Sequence, residues 1–285
     1  MNLSQLYRAV RTRLIEAEVE AAGLDARLII DQFAGAKPED IICRPLLEIA
    51  PEAVALVENA VSRRLAGEPV HRIIGWREFF GLRLALSPGT LEPRSDTETL
   101  VDAVLPFVRQ CVGRSGGCRI LDLGTGTGAI ALALLSQEPL AQAVVTDISA
   151  AALGTASQNA LSLGLSGRFE AIQSNWFDKV SGLFDLVVSN PPYIASSMIA
   201  KLDANVRDFD PIAALDGGAD GLDAYRKIAS SAAGHLSDMG TVAVEIGYDQ
   251  ADSVSEVFCS ENLDCVRLVK DLGGNDRVLL LELRQ

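Results

Sequence analysis

The sequence predicts an α/β fold: a mostly parallel sheet with helices on both faces, preceded by a small N-terminal helical domain. Three observations predict it. From Arg119 onward, short apolar runs alternate with segments of helical period, the pattern of parallel strands joined by crossover helices. The first 65 or so residues carry apolar side chains at helical spacing. The chain has 285 residues, 48% hydrophobic and 22% charged, enough for two domains and for a core that needs no disulfide or metal to fold.

Each element has its own signal. Residues 3–20 place Leu3, Leu6, Ala9, Val10 and Leu14 on one helical face, and Gly23 follows as a stop. Residues 25–34 and 51–65 repeat that logic, with Pro51 at a first-turn position and Gly67 closing the second helix. Residues 77–87 then alternate around Gly81, as a short hairpin does, and Pro88-Gly89 ends it, so residues 71–92 read as a bridge between modules. Residues 97–110 are helical again, entered through Ser95 with Glu98 three positions on, the capping-box spacing. Strands are expected at 120–123, 143–147, 169–173, 186–189, 241–246, 263–270 and 277–283, and helices at about 128–137, 149–163, 221–236 and 249–260. The last two strands are consecutive across Gly273-Gly274-Asn275, so one of them is expected to run antiparallel at an edge.

Composition excludes several classes. Cys43, Cys111, Cys118, Cys259 and Cys265 form no CxxC pair and read as free thiols of a reducing cytosol, mostly small core residues. The two histidines, His71 and His235, stand far apart and read as structural or surface residues, and no metal site is expected. Arg8, Arg11 and Arg13 interrupt the first 20 residues, so no signal peptide is expected. No run approaches the ~20 apolar residues of a membrane span; the expectation is a soluble cytoplasmic protein. Of 25 Lys+Arg and 38 Asp+Glu, residues 1–80 hold 10 and 12, which leaves a net −11 of the total −13 on residues 81–285. Such a surface repels a phosphate backbone, so direct nucleic-acid binding is not expected.

The loop after the first strand reads Asp122-Leu123-Gly124-Thr125-Gly126-Thr127-Gly128-Ala129, where glycines let a ligand approach the backbone. The loop alone is ambiguous. It satisfies the G-x-G-x-x-G/A pattern of dinucleotide enzymes, with Asp147 at a suitable distance to grip a ribose. It also suits S-adenosyl-L-methionine, which brings a sulfonium and an ammonium instead of a pyrophosphate. A carboxylate at Asp122 is unfavourable beside a pyrophosphate but can accept from the ammonium or support the loop, and Asp147 can take both ribose hydroxyls. Charge therefore favours the methyl donor over NAD.

The apolar strand near residue 186 ends in Asn190-Pro191-Pro192-Tyr193, at the strand end where open α/β sheets bind ligands. Two prolines make a rigid turn in any setting. Behind the glycine loop, however, the tetrapeptide fits a particular chemistry. A planar amide nitrogen is a poor nucleophile because its lone pair is delocalised. The Asn190 side-chain oxygen and the Pro191 carbonyl can accept its two N–H bonds and aim its lone pair along an S–CH₃ axis. Asn favours a neutral NH₂ group, and Tyr193 can lie against the planar acceptor.

The pairing of this loop with Asn190-Pro191-Pro192-Tyr193 resembles class I (Rossmann-like) methyltransferases that modify planar NH₂ nitrogens. Further stretches narrow the resemblance: Arg77-Glu-Phe-Phe, Leu91-Glu-Pro-Arg-Ser-Asp-Thr-Glu98, the run 210–222 from Asp-Pro to Gly-Leu, Glu245-Ile-Gly247 and the run 271–277. Together they look like the HemK/PrmC family, protein-(glutamine-N5) methyltransferases of the GGQ motif in peptide chain release factors, which act in translation termination. The resemblance covers essentially the whole chain. It implies residues 1–70 as a helical substrate-docking domain, 71–92 as a hairpin linker and 93–285 as the methyltransferase domain. It implies donor binding by Gly124, Thr125, Gly126, Thr127, Gly128, Asp147, Trp176 and Asn190, with Asp122 behind them. It places the acceptor glutamine on Asn190, Pro191, Pro192 and Tyr193, with Asn190, Pro191 and Tyr193 catalytic. Trp176 stacks on or packs beside an adenine in this reading.

Two positions depart from the family pattern: Ser95 replaces a second proline, and Asn175 replaces an Asp before the Trp. Arg94 and Glu98 are expected to serve an interdomain salt bridge or a helix cap before catalysis. No general base is expected, since the amide nitrogen becomes acidic once it carries positive charge. Other readings remain: a ribosomal-protein glutamine methyltransferase, an NH₂-directed nucleic-acid methyltransferase, an NAD-linked oxidoreductase, and a binding module with a vestigial pocket.

Overall fold

The computed structural model describes residues 1–284, and the chain divides into two compact units: Met1–Trp76 with 204–209, and Arg77–Asp203 with Asp210 onward. The smaller unit holds α1 (Leu3–Glu16), α2 (Ala22–Ala34), α3 (Asp40–Cys43), α4 (Pro51–Leu65) and α5 (Val70–Ile74). Asn2 and Gln5 form a capping box at α1, and Pro51 opens α4 at its first turn. The apolar stripes of α1, α2 and α4 meet in one core that includes Leu6, Val10, Ile29, Ile30, Val57 and Val61.

The larger unit begins with a hairpin, β1 (Trp76–Phe79) and β2 (Leu82–Ala85), followed by α6 (Glu98–Ser115). Phe79 and Leu84 of the hairpin lie in the core of this unit, so residues 77–92 belong to it and do not form a separate linker. The expected capping box at α6 does not form. Ser95 and Asp96 lie in a turn of 3-10 helix, and Glu98 Oε1 accepts from the Phe80 amide at 2.8 Å. A bond to the hairpin takes the place of a cap. The helix runs through Pro106 to a left-handed Gly116, well past the expected residue 110.

The main sheet contains β3 (Cys118–Leu123), β4 (Ala141–Asp147), β5 (Phe169–Gln173), β6 (Phe184–Ser189), β7 (Leu236–Glu245), β8 (Leu263–Lys270) and β9 (Asp276–Leu283), in the order β5-β4-β3-β6-β7-β9-β8. The remaining helices are α7 (Ala129–Gln137), α8 (Ala150–Ser162), α9 (Ser196–Ile199), α10 (Ala204–Arg207), α11 (Asp223–Ala232) and α12 (Ala251–Cys259); α10 falls in the smaller unit. Period-two alternation divides the strand residues between two cores. Ile120, Leu186, Val188 and Ala243 face α6–α8, whereas Leu121, Val187, Val242 and Val244 face α11 and α12. The antiparallel strand is β9, and it lies between β7 and β8, not at the edge. The edge strand β8 therefore runs with the parallel set, and it exposes most of its side chains.

The thiols are less buried than expected: Cys111 and Cys118 are core residues, but Cys43 and Cys265 are exposed and Cys259 is intermediate. No helix among the described residues is long and apolar enough to cross a membrane. The feature that positions a site is the point between β3 and β6 where the strand order reverses, with chain leaving β3 towards β4 and leaving β6 towards β7.

Candidate active site

At this switch point Leu123 of β3 pairs in register with Ser189 of β6 and Thr146 of β4. Gly124 and Asn190 therefore leave adjacent parallel strands side by side, and the Ser189 hydroxyl donates to the Leu123 carbonyl at 2.8 Å. The glycine loop between β3 and α7 takes left-handed φ at Gly124 (69°), Gly126 (58°) and Gly128 (83°), which L side chains adopt only with strain. Its amides are aimed by the end of β4: Thr125 N donates to Thr146 O at 2.9 Å, and Gly126 N to Asp147 Oδ2 at 3.0 Å. Asp147 Oδ1 accepts from Ser149 N at 2.8 Å, so each oxygen has one partner and acceptor capacity to spare.

Asp122 is fully buried beneath the loop and accepts from the Thr125 hydroxyl at 2.6 Å. Burial pushes its carboxyl up to about 7 against the bond from Thr125. Of the roles open to it, the structure supports the loop-bracing one and gives it no surface in the cleft. The argument from its charge against a pyrophosphate loses its premise. Its Oδ1 is buried without a hydrogen-bond partner. Thr127 is also buried, and its carbonyl accepts from Asn159 Nδ2 at 3.0 Å; the same side chain bridges to both backbone groups of Ala85. Trp176, after β5, has a left-handed φ of 52° and is half-buried against the α11–α12 core. A Cβ on Gly124 would lie 3.8 Å from its indole ring, so loop and indole adjoin. Asn175 donates to Asp178 at 3.3 Å.

Asn190 is half-buried, Pro191 buried, and Pro192 and Tyr193 half-buried. Asn190 Nδ2 donates to the Thr97 hydroxyl at 3.0 Å, which leaves its Oδ1 out of that bond. The backbone that follows is held hard. A Cβ on Gly217 would stand 2.8 Å from the Pro192 carbonyl, and one on Gly221 only 2.5 Å from the Tyr193 carbonyl, so both positions require glycine. Gln250 Nε2 donates to that Tyr193 carbonyl at 3.1 Å. The Tyr193 phenol hydrogen-bonds to Glu245, and burial with that carboxylate nearby raises it to about 12.

The stretches 91–98 and 210–222 enclose this corner. Arg77 pairs with Glu92 at 2.7 Å, the Glu92 amide reaches Asp210 Oδ1 at 3.4 Å, and Arg94 pairs with Asp210 Oδ2 at 2.6 Å. Arg94 is thus bridged within its own unit, and neither it nor Glu98 is left free for chemistry in this arrangement. Arg277 approaches Asp96 at 3.5 Å and Asp271 at 3.0 Å. His71 Nδ1 lies 3.1 Å from the Trp76 carbonyl and His235 Nδ1 2.9 Å from the Ser231 carbonyl, both in structural contacts.

The sequence of the whole chain has close relatives. A release factor glutamine methyltransferase of Agrobacterium fabrum is 53% identical over 271 residues, 95% of this chain and 94% of that protein. One from Rhodospirillum rubrum is 44% identical, over 95% and 82%. The chain belongs to the release factor glutamine methyltransferase family. Two family models agree with that assignment: a PrmC N-terminal domain over residues 5–75 and a methyltransferase small domain over 101–205. The fold recurs in the hMettl16 catalytic domain, solved in complex with a 3′UTR hairpin (TM-score 0.58, 16% identity, 80% of this chain and 83% of that one). It recurs too in a methyltransferase from Pyrococcus furiosus (TM-score 0.50, 18% identity, 79% and 98%).

Four residues at the site escaped the sequence reading: Thr97, Asn159, Glu245 and Gln250. Glu245 carried a signal, since it closes the apolar run of β7, where a carboxylate has no reason to be unless something uses it. Asn159 and Gln250 sit in ordinary helical surroundings and carry none.

Proposed function

We propose that this protein transfers a methyl group from S-adenosyl-L-methionine to the side-chain amide nitrogen of the GGQ glutamine in peptide chain release factors. One observation carries the reading: the Asn190 amide at the end of β6, beside the glycine loop, with its nitrogen turned to Thr97. The residues present fit the donor. Loop 124–128 has left-handed glycines, with nothing within 4 Å of a Cβ built on Gly126. Asp122 Oδ1 is a buried acceptor with no partner, and Asp147 retains acceptor capacity for ribose hydroxyls. Gly124, Gly126, Asp147, Trp176 and Asn190 would hold the donor. When bound, it supplies an electrophilic methyl on a sulfonium.

The rest is the work of this chain's own groups. Asn190 Oδ1 and the Pro191 carbonyl accept the two N–H bonds of the substrate carboxamide, fixing the plane of its nitrogen. The prolines and the glycine-backed carbonyls stiffen these acceptors, so little order has to be gained at the transition state. Tyr193 covers the carboxamide and excludes water. The proton leaves to solvent once the nitrogen is positively charged, and no side chain is needed as base.

The helical unit is read as the docking module for the protein substrate, because it exposes Ile42 (82%) and Leu46 (76%). Replacing both with Asp is expected to raise KM for whole release factor by about tenfold, roughly the worth of two part-buried aliphatic side chains, and to leave donor affinity alone. A shift in both would point to a fold defect. The central test is labelled methyl transfer to purified release factor, with mass spectrometry of the GGQ peptide. Methyl on the glutamine supports the reading. Label that goes only to ribosomal protein or RNA, or calorimetry in which NAD binds and the methyl donor does not, overturns it.

A further inference from the structure

Behind Asn190 lies a buried polar group that the transfer chemistry does not use. Thr97 and Glu245 are both buried, and the Thr97 and Tyr193 hydroxyls hydrogen-bond to the Glu245 carboxylate. Thr97 is also the acceptor for Asn190 Nδ2 at 3.0 Å. The strand backbone holds Glu245 in place, with its carbonyl accepting from the Tyr225 hydroxyl at 2.9 Å and its position paired to Val278 of β9.

The two ends of an amide side chain have nearly the same shape, so packing alone does not decide which faces the cleft. A threonine hydroxyl does not decide it either, since it can donate to an amide oxygen or accept from an amide nitrogen. It has only one proton, however. An ionised carboxylate accepts and cannot donate, so Glu245 claims that proton and leaves Thr97 only its acceptor side.

We infer that Glu245 and Thr97 are positioning residues that fix the orientation of the Asn190 amide, nitrogen inward and oxygen towards the substrate carboxamide. This rests on the proposed methyl transfer, in which Asn190 Oδ1 must accept. It also explains why a carboxylate stands at the end of β7. A glutamine there would fill the same space and hydrogen-bond equally well, but it could present either end to Thr97 and so would impose no direction.

The ionisation of Glu245 then matters to turnover. Arg277 on β9 favours the charged form, as do the hydroxyls of Thr97 and Tyr193, while burial and Asp96 oppose it; Tyr225 on α11 also faces it. Burial prevails, and the group titrates at about 7. Once protonated, Glu245 can donate, the proton of Thr97 is released from its duty, and the Asn190 amide is free to turn over. Turnover should therefore fall on the acid side.

The test uses the full-length enzyme, labelled methyl donor and purified release factor. Thr97→Val is expected to lower kcat about 10–100-fold with donor affinity by calorimetry nearly unchanged, and Thr97→Ser to restore most of the loss. Glu245→Gln is expected to lower kcat and to flatten the acid limb that the parent shows. Parent-like kcat in Thr97→Val, no rescue by Ser, or an acid limb that survives in Glu245→Gln would each overturn the proposal. If Thr97→Val does not fold, the Glu245→Gln profile decides. A parent that never methylates glutamine would instead sink the proposed function. In that event the ¹⁵N-labelled Asn190 side-chain signals still test the orientation: they should be single in the parent and shifted or doubled in Glu245→Gln, and identical spectra refute it.

Discussion

The glycine loop and the acceptor corner leave neighbouring strands from paired positions, yet they are held in different ways. The loop largely supports itself. Thr125 bonds back to Asp122 three residues away, Gly128 N bonds to Thr125 O, and the only outside anchors come from the end of the adjacent β4. The corner is an assembly of distant parts. Asn190 is turned by Thr97, 93 residues earlier, and the Tyr193 carbonyl is tied by Gln250, 57 residues later. Gly217 and Gly221 press against its backbone. A ligand that meets main-chain amides can be served by one short segment. A ligand whose nitrogen must be aimed needs acceptors fixed from several directions, and only tertiary structure supplies those.

The largest effect should come from within the corner. Asn190→Ala removes one of the two acceptors and is expected to cut turnover by about 10²–10³, with donor affinity changed little. Methylation of release factor at the parent rate would show that the corner does not grip the substrate. Next is a substitution that leaves every polar group in place. Gly221→Ala sets a methyl group 2.5 Å from the Tyr193 carbonyl at a φ of 79°. Overpacking and the left-handed backbone together should cost about 2–4 kcal/mol of stability and most of the turnover, while the donor still binds. If donor binding is lost in step with turnover, the two regions are not independent, and the contrast drawn between them fails.

The reciprocal test is on the donor side. Asp147→Ala removes the acceptor for Gly126 N and Ser149 N, and with it the proposed ribose contact. Charge-assisted bonds of this kind are worth about 1.5–3 kcal/mol, so donor affinity should fall about 10–100-fold while turnover at saturating donor is largely kept. An unaltered donor Kd would exclude Asp147 from the site.

The same contrast governs how far the sequence could be read. Period-two and period-3.6 patterns located β3 to β9 and the long helices, since each strand feeds two cores at once. The loop was legible as a motif because its function is local. Asn190 and its neighbours were legible as a motif too, but the residues that hold them were not. Thr97 and Gln250 matter only through contacts that the fold creates, and their types are unexceptional in sequence. The position of β9 between β7 and β8 was missed for a similar reason: a hairpin signal states that two strands pair, not which of them docks on the sheet. Asp122 shows the opposite error, in which a charge read from sequence was aimed at a ligand when burial aims it at its own loop.

The smallest effect is a slope rather than a level, and it tests that last point. Burial lifts the Asp122 carboxyl to about 7 from an ordinary 3.8. Between those pH values the folded protein keeps a proton that the unfolded chain has released, so the share of stability due to Asp122 is present at low pH and drains away as pH rises towards 7. Asp122→Asn has no such proton. Relative to the parent, its unfolding free energy should rise with pH across this interval, by no more than about 1.4 kcal/mol per pH unit, and then level off. Glu245 is raised in the same direction, but it is present in both proteins and cancels in the difference. Denaturant titrations of the two proteins from pH 5 to 8 measure it directly. Parallel curves would mean that Asp122 stays ionised beneath the loop, and that some group other than Thr125 pays for its charge there.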